Sequence, residues 1–493
     1  MVLKNMFGQM CQFRRFRFLP SIIIYYDDSL FNIFRDIVTS VKLNVTERYQ
    51  PVAEFYAGKS VFLTGATGFL GKVFIERLLS NCADIDKIYV LVRPKKGAAV
   101  DQRIKELFDN PVTRPLGTAI RRVNHCAIWV VIHKDIKIFM LFNKSKLQQA
   151  LFTVQVSVVF HSAAIVKFSE PLKTALDVNV EGTKKVLKLS QQMKNLDIFV
   201  HISTAFSNTD KLVVDEMVYP PPRTLEEAHN FAKTHSNDEE ETEKFLRYAN
   251  AYTLSKSLAE YVVLENYKDT RSIIIRPAIV SPILRAPLPG WLDTWVAGTG
   301  TFSDVSRGLT RILYGSSKVV IDLIPVDYVC NLAIVAAAKS PKTEELLVYN
   351  SCTSSENPIT WTGAANLFAK DSVKFGYRKS FPTLQRLTVP LLGLITFLLQ
   401  TIPSFIADLW LRVTGRKPKY VCQAVVTTSV LLRDTLKGFT SSNFLMKTDR
   451  AQELISSLDE KDRKRFMCDP KTINWKEYMP VYCYGVKRYL LRK

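Results

Sequence analysis

Ser60-Val-Phe-Leu-Thr-Gly65-Ala-Thr-Gly68-Phe-Leu-Gly71-Lys-Val-Phe-Ile-Glu-Arg-Leu-Leu-Ser80 carries three structural signals in a row. Ser60 to Thr64 is a short apolar run of the kind that forms a buried strand. Glycines follow at 65, 68 and 71, and from Lys72 onward apolar residues recur at helical period. Each glycine has a physical task. One permits a tight turn, one lets backbone approach a pyrophosphate, and one lets helix and strand pack closely. The helix N-terminus then turns its free N–H groups toward phosphate. Strand, glycine turn and helix in this order predict a dinucleotide site, with contacts from Gly65, Thr67, Gly68, Phe69, Leu70 and Gly71.

A second strand is predicted over Lys87-Ile-Tyr-Val-Leu-Val-Arg93. An acid near its end would take a ribose 2′-hydroxyl, but the chain continues Arg93-Pro-Lys95-Lys96. Basic residues there accommodate a 2′-phosphate, so Arg93 and Lys96 favour NADPH over NADH. Val156 to Ser162 reads as a further strand, ending at Ala163 and Ala164, whose small side chains would let a cofactor lie against backbone. Leu172 to Met193 reads as one long helix carrying Asn179, and Ile198 to Ser203 and Arg271 to Arg276 as two more strands. The alternation predicts an α/β fold: a Rossmann-like, doubly wound parallel sheet followed by a mainly helical C-terminal domain.

After a polar loop over 207–247 comes Tyr252-Thr-Leu-Ser-Lys256, opening a helix. Residues i and i+4 share one helix face, so the Lys256 ammonium is expected to lower the Tyr252 pKa from about 10 and to hold a cofactor ribose. Ser203 and Thr204 end a strand, where a hydroxyl can hold a substrate oxygen. The predicted catalytic set is Thr204, Tyr252, Lys256 and Ser203, with no metal.

The 493 residues carry 67 Lys and Arg against 46 Asp and Glu, a net of +21. Hydrophobic residues make up 47%, enough for a large core, which excludes a disordered chain. From 370 to 493 there are 23 basic and 10 acidic residues, a net of +13, and 111–155 adds +6. The body with the dinucleotide signal is nearly neutral, so the charge does not predict nucleic-acid binding. Leu387 to Ala407 is 21 residues without a charge, followed by Arg412, Arg416, Lys417 and Lys419. The stretch 387–411 is therefore expected to contact a membrane, either crossing it or lying on its surface. The eight Cys form no Cys-x-x-Cys pair and no zinc spacing with the six His, so reduced thiols are expected. The expected organisation is an extension over 1–50, a reductase domain over 51–350 and a helical domain over 351–493.

The ordered motifs resemble the extended short-chain dehydrogenase/reductases, and within them the insect-type fatty acyl-CoA reductases. They are Thr64 to Gly71, Tyr89 to Gly97, Val159 to Ala164, Ile202-Ser-Thr-Ala-Phe-Ser-Asn208, Tyr252 to Glu260, Arg276-Pro277, Pro289-Gly-Trp291, Ile324-Pro-Val-Asp327 and Asp469 to Trp475. The resemblance implies reduction of long-chain fatty acyl-CoA to primary alcohol with two NADPH, at a peroxisomal or endoplasmic reticulum membrane with the catalytic domain facing the cytosol. It also implies a C-terminal "sterile" domain, Tyr252 as proton donor with Lys256 as its partner, Thr204 ahead of Ser203 as the catalytic hydroxyl, and a relay water at Asn179. Residues 98–155 depart from the family pattern. Its third strand ends in Gly-Asp, which is missing here, although Ala127 to Ile132 reads as a strand with Asp135 beyond it. The alternatives are another extended short-chain enzyme, or a catalytically silent NADP-binding protein at a membrane.

Overall fold

The computed structural model describes residues 49–93, 99–115, 127–132, 153–168, 170–235, 239–247, 249–295, 297–306, 318–372, 394, 397–415 and 437–491. Lys96, Asp135, the N-terminal extension up to residue 48 and most of 373–396 lie outside them. The described residues of the Pro51–Lys493 unit build a seven-stranded sheet. Its strands are β1 Ser60–Thr64, β2 Lys87–Val92, β3 Ala127–Ile132, β4 Val156–His161, β5 Ile198–Ile202, β6 Ser272–Pro277 and β7 Leu347–Ser351. The order is β3-β2-β1-β4-β5-β6-β7, and every pairing is parallel. β1 is buried along its whole length because helices cover both faces. The departing segment does supply the third strand, in register from Lys87↔Ala127 to Val92↔Ile132.

Strand alternation separates two cores. Val61 and Leu63 of β1 face a core shared with α1, Phe69–Asn81. Phe62 faces the opposite core. α2 spans Val100–Asp109 between β2 and β3. α3 runs in three pieces, Leu172–Ala175, a π-turn Leu176–Val180 and Glu181–Ser190, so the single helix expected to Met193 is interrupted at Asn179 and ends earlier. α4, Ala251–Glu265, lies with α3 on the Phe62 side. α5, Val326–Lys339, packs against α1 on the other. The expected polar loop contains two helices, Leu225–Thr234 and Glu239–Leu246. A reciprocal Thr224–Glu227 capping box starts the first of them.

The C-terminal region adds α6 Trp361–Ser372, α7 Ile402–Val413, α8 Asp449–Ser456 and α9 Trp475–Gly485. Phe302, Trp361, Phe368, Tyr478 and Tyr482 form one apolar cluster. There α9 comes backbone to backbone with the Pro289-Gly-Trp291 loop. A Cβ on Gly485 would sit 1.7 Å from the Gly290 carbonyl oxygen, and one on Gly290 would sit 2.7 Å from the Val481 oxygen. On α7, Phe405, Ile406, Leu409, Trp410 and Val413 are exposed, Val413 to 78%. Among the described residues no helix is long and apolar enough to cross a membrane. The Gly290–Gly485 contact leaves no room for a methyl group. Gly485→Ala is expected to cost about 1–3 kcal/mol of stability. Gly182→Ala, in open space, should be neutral or mildly stabilising. Urea unfolding midpoints of both variants check this.

Candidate active site

The turns after β1 and β4 meet at the carboxyl ends of the strands, where the strand order reverses. In open α/β sheets this crevice takes the ligand. Gly65 adopts φ +76°, and a Cβ there would lie 2.8 Å from the Ala163 nitrogen. Gly68 caps α1, its N–H donating to the Gly65 oxygen at 2.9 Å. A Cβ on Gly71 would come 2.2 Å from that same oxygen, so α1 can press against the turn only with glycine there. Ala163 N–H donates to Thr64 Oγ1 at 3.2 Å, tying the two turns together. Phe69 meets Trp291 with tilted rings 5.4 Å apart, and Leu70 packs against the core. These two residues therefore offer backbone rather than side chain. A bare backbone cradle at a helix N-terminus fits the pyrophosphate of a dinucleotide.

Beside the cradle lies a cation that sequence reasoning missed. Arg103 of α2 donates to Thr67 Oγ1 at 2.6 Å and to the Arg93 carbonyl oxygen. Burial first, and the neighbouring Arg93 guanidinium second, pull the Arg103 pKa down. The Arg103 guanidinium, with Glu106 as the acid that acts on it, thus stands beside the turn that carries Arg93 and can face an anion there. Lys72 is held elsewhere, by Thr67 O at 2.7 Å and Asp293 at 2.8 Å. The amphipathic pattern of Val100–Asp109 after the basic turn was the available signal for Arg103.

Tyr252 is the second residue of α4, whose start is fixed by a box in which Asn250 and Thr253 bond each other's N–H groups at 2.9 Å. Burial raises the Tyr252 pKa to about 12, a hydrogen bond with the Thr204 hydroxyl opposes this, and the Glu260 carboxylate adds to it. The expected depression by Lys256 is not what the structure has. The Lys256 ammonium points to the Ile202 oxygen at 2.6 Å and to His201 Nε2 at 3.3 Å. Its own pKa is lowered to about 8, mainly by burial. Tyr252 is thus a neutral phenol with a proton to give. His161 is also neutral, held down to about 3 by burial and then by Lys256.

Thr204 and Ser203 part company. Ser203 Oγ donates to Glu260 Oε1, which also accepts from Ser207 at 3.1 Å and from Arg276 Nε at 2.9 Å. Thr204 turns the other way, to Tyr252 and to the Phe206 N–H at 3.3 Å. Ser203 is therefore committed to a buried carboxylate. Asn179 is also occupied: Oδ1 accepts from Ile165 N–H at 2.8 Å, and Nδ2 donates to the Ile165 oxygen at 3.0 Å and to Ser255 Oγ at 2.9 Å. Ser255 Oγ donates to the Tyr252 carbonyl at 2.8 Å. The Asn179 side chain thus tethers α4 to the turn after β4.

The sequence matches the family described as Male sterility protein over residues 63–333, in its NAD-binding part, and over residues 399–493, in its Sterile part. It is 33% identical over 454 residues to Fatty acyl-CoA reductase 1 of Gallus gallus, covering 90% of this chain and 86% of that protein. It is 32% identical over 461 residues to Fatty acyl-CoA reductase 2 of Homo sapiens, with the same coverage. Among solved structures, the reductase domain of a nonribosomal peptide synthetase from Mycobacterium tuberculosis superposes with a TM-score of 0.55 at 17% identity, covering 87% of this chain and 91% of that one. That likeness concerns the fold. With a nicotinamide-binding cradle and the family's two parts in their order, the chain belongs to the fatty acyl-CoA reductases.

Proposed function

We propose that this protein reduces long-chain fatty acyl-CoA to the primary alcohol, with release of CoA and consumption of two NADPH. The observation that carries this reading is the pairing of the Tyr252 phenol with the Thr204 hydroxyl beside the glycine cradle. Gly65, Gly68 and Gly71 would hold a nicotinamide cofactor, which would supply hydride to the carbonyl carbon. Thr204 and Tyr252 donate hydrogen bonds to the oxygen on which charge develops, where preorganised donors act most strongly. Tyr252 then gives up its proton to that oxygen, and Lys256, whose ammonium is anchored on the Ile202 oxygen, is left to hold the cofactor ribose. Collapse of the hemithioacetal breaks the carbon–sulfur bond and releases CoA thiol. The aldehyde is reduced by the same groups in a second round. NADPH is preferred to NADH in this reading, because Arg103 is held against the Arg93 carbonyl beside the glycine turn, where a cation suits a 2′-phosphate.

The purified chain, given palmitoyl-CoA, is expected to oxidise two NADPH per CoA thiol released and to work poorly with NADH. Tyr252→Phe should lose about 10²–10⁴-fold in kcat. In this reading Lys256 holds the cofactor ribose as an ammonium, and burial lowers its pKa to about 8. Hence kcat/KM should be level below that pH and fall above it. Unchanged turnover in Tyr252→Phe would remove the proposed proton donor.

We further infer work at a peroxisomal or endoplasmic reticulum membrane surface, with the reductase unit facing the cytosol. The support is the exposed apolar side of α7 and the net +13 of residues 370–493. Such a surface gains from apolar insertion and from anionic headgroups together. Flotation with liposomes of phosphatidylcholine and phosphatidylserine is expected to carry the protein upward. Leu409→Glu with Trp410→Glu should leave it in the lower fraction, and flotation unaffected by these changes would contradict the inference.

A further inference from the structure

Tyr252 stands at one end of a run of aromatic rings. Its ring stacks on Phe168 with centroids 5.9 Å apart, and Phe168 stacks on Phe439 at 5.7 Å. Phe439 meets Phe206 edge-on at 5.1 Å, and Phe206 meets Phe444 edge-on at 6.0 Å. Phe206 is also the residue whose N–H bonds Thr204 Oγ1. The Tyr252 ring therefore abuts the aromatic wall, and Thr204 is tied to it through the Phe206 backbone. Phe168 follows β4 and Phe206 follows β5, whereas Phe439, in the short helix Lys437–Ser441, and Phe444 belong to the C-terminal region.

A cluster serving stability alone would be closed over, but all four phenylalanines are only partly buried. The apolar surface continues past them. Val166, Leu212, Val213 and Leu445 are exposed, and Leu445 is held in register with Val213 across a short parallel pairing. Chemistry decides what such a wall receives. A thioester whose carbonyl sits at Thr204 and Tyr252 has two ends. Its phosphate-bearing CoA end would lose solvation on an apolar surface. Its hydrocarbon end gains there, at roughly fourfold in affinity per buried methylene.

We propose that Phe168, Phe206, Phe439 and Phe444 form the wall along which the acyl chain runs, so that the C-terminal region completes the substrate site and sets chain preference. The inference rests on the acyl-CoA reading above. Phe439 is its centre, touching Phe168, Phe206 and Phe444. It lies two ring contacts from Tyr252, beyond the reach of a short chain and beside the middle of a long one.

The test uses the full chain with NADPH and compares palmitoyl-CoA with butyryl-CoA. Phe439→Ala is expected to lower the palmitoyl-to-butyryl ratio of kcat/KM by about tenfold, chiefly through KM. NADPH affinity, read by fluorescence titration, should be unchanged. Phe439→Leu keeps an apolar side chain and should lower the ratio by about threefold. It replaces the alanine variant if that protein fails to bind NADPH. A ratio unchanged in both variants, or an equal loss on both substrates, overturns the inference and leaves the reductase reading standing. A wild-type protein that binds NADPH yet releases no CoA from either substrate overturns the reductase reading, and this inference with it.

Discussion

Arg276 ends β6 fully buried, and Glu260 of α4 closes on it with bonds of 2.9 Å from Nε and 2.6 Å from Nη2. Burying such a pair costs several kcal/mol per ion, and attraction offsets this only when the remaining polar atoms are engaged. Here they are. Arg276 also donates to the Asp215 and Met217 carbonyls, and Glu260 also accepts from Ser203 and Ser207. Glu260 lies one helical turn beyond Lys256 and two beyond Tyr252. Fixing it fixes the rotation of α4 and thus the direction of both catalytic side chains. Ser203 is drawn to the carboxylate, and its neighbour Thr204 is left to meet Tyr252, two turns nearer the start of the same helix. The backbone that Arg276 holds at 215–217 carries Glu216, which accepts from the N–H groups of Asn350, Arg450 and Ala451 at the start of α8. One buried polar network therefore runs from the reacting hydroxyls to the C-terminal region.

Burial also sets the protonation of the site. It keeps Tyr252 protonated, lowers Lys256 to about 8 and keeps His161 and His201 neutral. Lys256 is thereby a cation in a setting of neutral imidazoles, bonded to a backbone carbonyl and facing no acid directly. Glu260 supports its charge from one turn away. The arrangement resembles a donor held ready rather than an ionised phenolate, as reduction of a carbonyl requires.

The glycine turn was legible in the sequence because its constraint is local: backbone must approach backbone at 65, 68 and 71, and nothing distant changes that. Tyr252 and Lys256 were legible because helical spacing alone puts them on one face. The choice between Ser203 and Thr204 depends on Glu260, which lies far along the chain, so adjacency in sequence could not settle it. Arg103 escaped because the whole of 98–155 departs from the family pattern, yet its helix and third strand form in place. The Thr224–Glu227 capping box was readable but was hidden in a polar stretch. The aromatic wall is assembled from three distant segments, and no period or spacing announces it.

The buried ion pair commits Ser203 to structure and leaves Thr204 to chemistry. Palmitoyl-CoA turnover in Ser203→Ala and Thr204→Val tests this directly. Ser203→Ala is expected to keep kcat within about threefold while losing about 1 kcal/mol of stability. Thr204→Val is expected to lose about 10²–10³-fold in kcat. A large kcat loss in Ser203→Ala with near-normal turnover in Thr204→Val would contradict the account.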